Sequence, residues 1–146
     1  MTLAEKLQRT LQTEIPLTSD MGIRVASYDG KLLQLMAPLA PNINHKCTAF
    51  GGSLYALAVS CGWGMVYLKL EEAGLHRHIV IQEADIKYLL PVDAELQAEC
   101  RFDEAAWQKF MHTLIKHGKA RIKLDVVIVH QGKPAVAFAG SYVVYG

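Results

Sequence analysis

The chain has 146 residues, 51% of them hydrophobic, with 15 Lys and Arg against 14 Asp and Glu for a formal net charge of +1. That length suits one domain, residues 1–146, with a real core, and a near-neutral balance without a basic run argues against a nucleic-acid binder driven by phosphate attraction. Cys47, Cys61 and Cys100 are odd in number and widely spaced, so they are expected to be buried, reduced thiols of a cytoplasmic protein and not a disulfide frame.

Met1 to Leu17 carries Glu5, Lys6, Arg9 and Glu14 and does not read as a signal peptide. Thr2-Leu3-Ala4-Glu5 has capping-box spacing, and Leu3, Leu7 and Leu11 form one stripe. A helix to about Thr13, stopped by Pro16, is expected. Ile23 to Ser27 and Lys31 to Ala37 flank Tyr28-Asp29-Gly30, a hairpin signal.

The most informative stretch follows. A polar, turn-prone approach, Pro41-Asn42-Ile43-Asn44-His45-Lys46-Cys47-Thr48, leads into Phe50-Gly51-Gly52-Ser53 and a helix predicted from about Gly51 to Glu72, ended by Gly74. Helix-start N–H groups lack partners within the helix and sit at the positive end of its dipole, so they can hold an oxyanion where glycines let a ligand approach. Asn44 could add a neutral donor; its plainer alternative is an Asx-turn within its own loop. Cys47 to Leu68 carries no charge and is long enough to span a bilayer, but four glycines and strand-rich surroundings favour a buried core helix.

The second half reads as sheet. His78 to Leu90 and Glu95 to Phe102 alternate. Trp107, Phe110, Met111 and Leu114 mark an amphipathic helix over 103–116. Ala120 to Ile128 lines one face of a long strand, and Gln131-Gly132-Lys133-Pro134 turns it into a last one, Ala135 to Tyr145. The expected fold is α+β: one antiparallel sheet wrapped around a long central helix, with Gly62 and Gly64 allowing close approach to the strands.

Asn44 through Ala58 resembles the loop-and-helix signature of hotdog-fold thioesterases. Asp85-Ile86-Lys87-Tyr88-Leu89-Leu90-Pro91-Val92 is similar to the strand that follows the hotdog helix. The resemblance covers nearly the whole chain and is nearest to the YiiD C-terminal type of domain. Two departures stand out. Phe50 occupies the place where many relatives carry His, and Val59 and Ser60 stand where many place a helical Asp or Glu. Neither Val59 nor Ser60 can act unaided as a general base.

The resemblance implies decarboxylation of a malonyl thioester on acyl carrier protein or coenzyme A, giving the acetyl thioester that primes fatty-acid synthesis, with Asn44 as key residue. Loss of CO2 leaves an enolate with charge on the thioester oxygen, a step that needs oxyanion donors and no base. Asn44, Gly51 and Gly52 are therefore the expected catalytic groups, with His45, Thr48, Phe50, Ser53 and Asp85 lining the substrate. Two alternatives stay open: an acyl thioesterase using Asp85 or Glu83 to activate water, and a catalytically silent thioester-binding dimer.

The phosphopantetheine arm arrives with the substrate, and no metal or separate cofactor is expected; His76-Arg77-His78 lacks a third ligand at metal spacing. Lys116, His117, Lys119, Arg121 and Lys123 could form a basic rim for an acidic carrier protein, or an ordinary exposed face. A homodimer or higher assembly is implied, with neither nucleic acid nor membrane as partner.

Overall fold

The N-terminal cap forms as the spacing predicts: the Thr2 hydroxyl accepts the Glu5 N–H at 3.1 Å. The first helix, α1, spans Leu3–Glu14 in the computed structural model, which describes residues 1–146. Its Leu7 and Leu11 are fully buried. Pro16, expected only to stop this helix, also opens a second, α2 (Pro16–Met21). Proline at a first helical position sacrifices no hydrogen bond, and its ring presets the helical φ. Gly22 then ends α2 at φ +74°, where a Cβ would also strike the Pro38 ring at 2.9 Å.

The hairpin forms from β1 (Arg24–Tyr28) and β2 (Leu32–Ala37). The Asp29 carboxylate ties its turn by accepting the N–H groups of Lys31 and Leu32 at 2.9 and 2.8 Å, which holds its pKa below the ordinary range. Next come α3 (Gly51–Glu72), β3 (His78–Tyr88), β4 (Leu96–Arg101), α4 (Glu104–His117), β5 (Lys119–His130) and β6 (Lys133–Tyr145). The six strands make one sheet in the order β1-β2-β4-β5-β6-β3, antiparallel throughout. β1 and β3 are therefore its edges.

Alternation along β5 sets the two faces. Ala120, Ile122, Leu124, Val126 and Ile128 are buried beneath the helices, while Lys119, Arg121, Lys123 and Asp125 face outward. The sheet covers one side of α3 and α1 packs on another, which accounts for a helix apolar all round. α3 is long and apolar enough to cross a membrane, yet its neighbours here are strands, α1 and α2.

The paired helix glycines set the closeness of that packing. A Cβ on Gly62 would lie 2.3 Å from the Tyr142 hydroxyl on β6, and one on Gly64 would lie 3.1 Å from Leu7 and Leu33 side-chain carbons. Tyr142 donates its hydroxyl hydrogen to the Val59 carbonyl at 2.8 Å, and burial pushes its phenol pKa up. The Trp63 indole N–H donates to the Ile79 carbonyl at 3.1 Å, locking α3 to the edge strand β3. This is the hotdog arrangement, with α4 added against β5 through buried Trp107, Phe110 and Leu114.

Candidate active site

The loop before α3 presents the helix start. A 3-10 turn, Ala40–Asn42, buries Asn42, whose side-chain N–H groups donate to the carbonyls of Met21 at 2.9 Å and Pro38 at 2.8 Å. The Asn42 carbonyl accepts the Phe50 N–H, and the Ala49 N–H donates to the Val92 carbonyl, both at 2.7 Å. The chain between these clamps leaves and returns through an isolated bridge, Ile43 to Ala49. Asn42 carries no signal in the sequence, since its burial depends on where the Met21 and Pro38 carbonyls arrive in space.

Phe50 is the N-cap of α3, and no side chain caps the helix. The first helical bond at this end runs from the Leu54 N–H to the Phe50 carbonyl at 3.0 Å. The N–H groups of Gly51, Gly52 and Ser53 are left without an acceptor in the chain. These are orphan donors at the positive pole of a 22-residue helix. The Phe50 ring lies over Gly52, whose Cβ would meet it at 2.5 Å, and the Tyr88 ring lies 3.6 Å from a Cβ on Gly51. Tyr88 also donates its hydroxyl hydrogen to the Gly51 carbonyl at 2.9 Å.

Asn44 holds its own loop. Its Oδ1 accepts the N–H groups of Lys46 at 2.8 Å and Thr48 at 3.1 Å. Its Nδ2 donates to the Thr48 hydroxyl oxygen at 2.9 Å and makes only a long 3.5 Å contact to the Ala49 carbonyl. The Asx-turn is thus present, and one carboxamide hydrogen is weakly engaged. His45 is exposed, and Ser53 is half-buried at the helix start. Cys47 corrects an expectation: it is exposed, not buried. It sits in the turn at φ +63°, on a segment whose preceding residues, His45 and Lys46, are exposed as well.

A shallow hollow of about 260 Å³ lies beside the helix start, lined by Ala49, Gly51, Leu54, Tyr88, Leu89 and Leu90. Around it the surface is apolar: Phe50 is 56% and Tyr88 51% exposed. Asp85 does not belong to it. A register shift between Ile81 and Glu83 directs Ala84 and Ile86 towards the core and leaves Glu83, Asp85 and Lys87 exposed. Asp85 lines a separate groove of about 580 Å³ on the outer sheet face, with Lys123 and Asp125. Nor does α3 set a base beside the hollow: the Ser60 hydroxyl donates to the Ala56 carbonyl at 2.7 Å, and the helix carboxylates, Glu71 and Glu72, stand at its far end.

A family model described as "Putative thioesterase (yiiD_Cterm)" matches residues 4–146. The chain belongs to this YiiD C-terminal family. Among solved structures, this YiiD C-terminal domain is similar to a protein of unknown function from Chlorobaculum tepidum TLS, at 40% identity and a TM-score of 0.94 over 98% of this chain and 94% of that one. It is also similar to a "putative thioesterase" from Shewanella oneidensis, at 34% identity and a TM-score of 0.86 over 99% and 98% of the two chains. A thioesterase from Haemophilus influenzae, at 17% identity and a TM-score of 0.76 over 100% and 92%, shares the fold. The YiiD C-terminal family thus points to an enzyme acting on acyl thioesters.

Proposed function

We propose that this chain is a malonyl-thioester decarboxylase whose oxyanion site is the start of α3. The observation that carries the reading is the set of unpaired N–H groups at Gly51, Gly52 and Ser53, beside an apolar hollow in which no carboxylate takes part. The thioester oxygen accepts hydrogen bonds from these donors, and the weakly engaged Nδ2 hydrogen of Asn44 adds one more. The carbon–carbon bond to the carboxylate then breaks; its electron pair forms the enolate, CO2 departs, and a proton from water restores the acetyl thioester. Charge that develops on the oxygen meets fixed donors, worth about 3–4 kcal/mol of barrier for each one. His45, Thr48, Phe50 and Ser53 border the substrate in this reading.

The site is completed by a second copy. β3 is a free edge over its whole length, and exposed strand edges recruit partners. Phe50, Tyr88, Leu89 and Leu90 extend that edge as apolar surface. Two-fold pairing of β3 with itself covers both. The acyl group comes on a phosphopantetheine arm, from acyl carrier protein or coenzyme A.

A second reading, hydrolysis of acyl thioesters, is favoured by the thioesterase description that the family and the Shewanella relative share. The same donors would stabilise its tetrahedral oxyanion, with a base supplied to water from elsewhere. Parallel quantitation of CO2 and free thiol separates the two. Malonyl thioester giving CO2 with the thioester intact supports decarboxylation; thiol release from saturated acyl thioesters supports hydrolysis and removes the first reading.

A further inference from the structure

One wall of the hollow beside α3 is a strap, Leu89 to Asp93, on the connection between β3 and β4. Its Leu89, Leu90 and Pro91 line the hollow itself. At one end of the strap, the Leu89 and Leu90 N–H groups both donate to the Ala135 carbonyl near the start of β6, at 2.8 and 3.1 Å. Further along, Val92 is fully buried, and its carbonyl accepts the Ala49 N–H. At the other end the tie is made by side chains: the His130 Nε2, at the end of β5, lies 2.9 Å from the Asp93 Oδ1.

This last tie differs in kind from the backbone ones. The His130 side chain is only 11% exposed, while that of Asp93 is 67% exposed. An imidazole beside a carboxylate is drawn to it most strongly while it carries a proton, and exposure of the carboxylate screens that pull without removing it. Lys133 stands opposite His130 across the β5–β6 turn, and on β4 the residue paired with neighbouring Val129 is the uncharged Gln97. Glu95, on the same connection as Asp93, is occupied with Arg24 at 2.6 Å. Asp93 is therefore the carboxylate that His130 meets. The route from this pair to the helix start is short: Asp93 adjoins Val92, Val92 holds Ala49, and Ala49 adjoins Phe50, the N-cap of α3.

We propose that His130 and Asp93 are positioning residues, whose ion pair draws the strap against the end of β5 and, through Val92 and Ala49, fixes the N–H donors at the start of α3. The inference rests on the oxyanion reading of that helix start and adds to it a pair that touches no substrate. Oxyanion donors work by standing in place before charge develops, and a displacement of about 1 Å can cost about 10²-fold in rate. The tie also makes the site answer to pH. An imidazole ordinarily titrates between about pH 5 and 8, and loss of its proton weakens the pull on Asp93, so the helix start loosens as pH rises.

Hydrogen exchange of single amides, followed by nuclear magnetic resonance on the intact protein, reads the tie without substrate. Asp93→Ala removes an exposed side chain and opens no cavity. Protection of the Ala49 amide is expected to fall about 10-fold in this variant, while the Leu89 and Leu90 amides, held by the Ala135 carbonyl, keep theirs. In wild type the Ala49 protection factor should fall about threefold from about pH 5 to 8; in Asp93→Ala and His130→Gln it should stay level. A second imidazole, His45, sits in the same loop as Ala49. A pH response that survives in both variants assigns the effect to His45 and overturns the proposal. Unchanged Ala49 protection in Asp93→Ala overturns it too, as does equal loss at Leu89 and Leu90, which marks general loosening.

Turnover separates this inference from the chemistry beneath it. With malonyl thioester, kcat of Asp93→Ala is expected to fall about 10-fold while KM stays within about twofold of wild type. His130→Gln, with an amide of similar reach and no charge, should keep part of the rate. Wild-type kcat in Asp93→Ala despite a loosened Ala49 removes the positioning role. If wild type releases neither CO2 nor thiol while the Ala49 amide behaves as expected, the proposed chemistry fails and the tie stands.

Discussion

At the scale of single residues, Asn44 carries two separable roles. Its Oδ1 builds the loop, while its Nδ2 keeps one weakly engaged hydrogen that the proposed reaction assigns to the substrate. Asn44→Asp keeps the acceptor and removes the donor. Thermal melts of that variant are expected to stay close to wild type, because the Thr48 hydroxyl that accepts from Nδ2 can turn and donate to the carboxylate, while malonyl turnover falls by about 10²–10³. Asn44→Ala should lose turnover and also about 1–2 kcal/mol of stability, as the Lys46 and Thr48 N–H groups lose their acceptor. Full activity in Asn44→Asp would confine Asn44 to loop building. The sequence marked Asn44 and offered both roles, but not Asn42, because burial of one asparagine and half-exposure of the next depends on where Met21 and Pro38 arrive in space. Gly62 was legible as a packing glycine. Gly62→Ala gains at most about 1 kcal/mol of helix propensity, but its methyl would overlap the Tyr142 hydroxyl. Overpacking costs about 1–3 kcal/mol, so urea unfolding should show net destabilisation.

Elements repeat the lesson at a larger scale. α1, the hairpin, α4 and the last three strands follow from periodicity and turn residues, because each buries one regular face, while α3 follows from an uncharged run that opens at Gly51 and ends before Gly74. α2 escaped because Pro16 was read as a stop when it is equally a start. The outward turn of Asp85 depends on a β-bulge in β3, and a bulge has no reliable signature in a single sequence. The helix start gives a sharper expectation. A Cβ on Gly51 meets nothing closer than the Tyr88 ring at 3.6 Å, so Gly51→Ala should fold with wild-type stability or slightly better. It should still lose turnover, because the added methyl stands where the thioester must approach the backbone. Unchanged kcat/KM in Gly51→Ala would remove the helix start from the reaction.

For the whole molecule, the enclosed α3 sets a response to alkali. Burial pushes the Cys100 thiol from 9.0 up to about 12 and raises the Cys61 thiol well above its ordinary value. In the unfolded chain both thiols ionise near pH 9; in the fold they stay protonated, so the unfolded state gains as protons leave. Stability should be intact below pH 9 and fall as pH rises towards 12. Cys100→Ala should flatten that slope in denaturant titrations run at successive pH values, whatever it costs in packing at neutral pH. A slope unchanged by the substitution would mean that the thiol titrates alike in both states.

The chemistry proposed for the start of α3 requires that the thioester oxygen be gripped by backbone hydrogens. Isotope-edited infrared spectroscopy of a saturated acyl thioester labelled at its carbonyl carbon reads that grip directly. Bound to wild type, the carbonyl stretch should fall below its position in water, and in Gly51→Ala that fall should vanish. A stretch at or above the aqueous position in wild type would contradict the account.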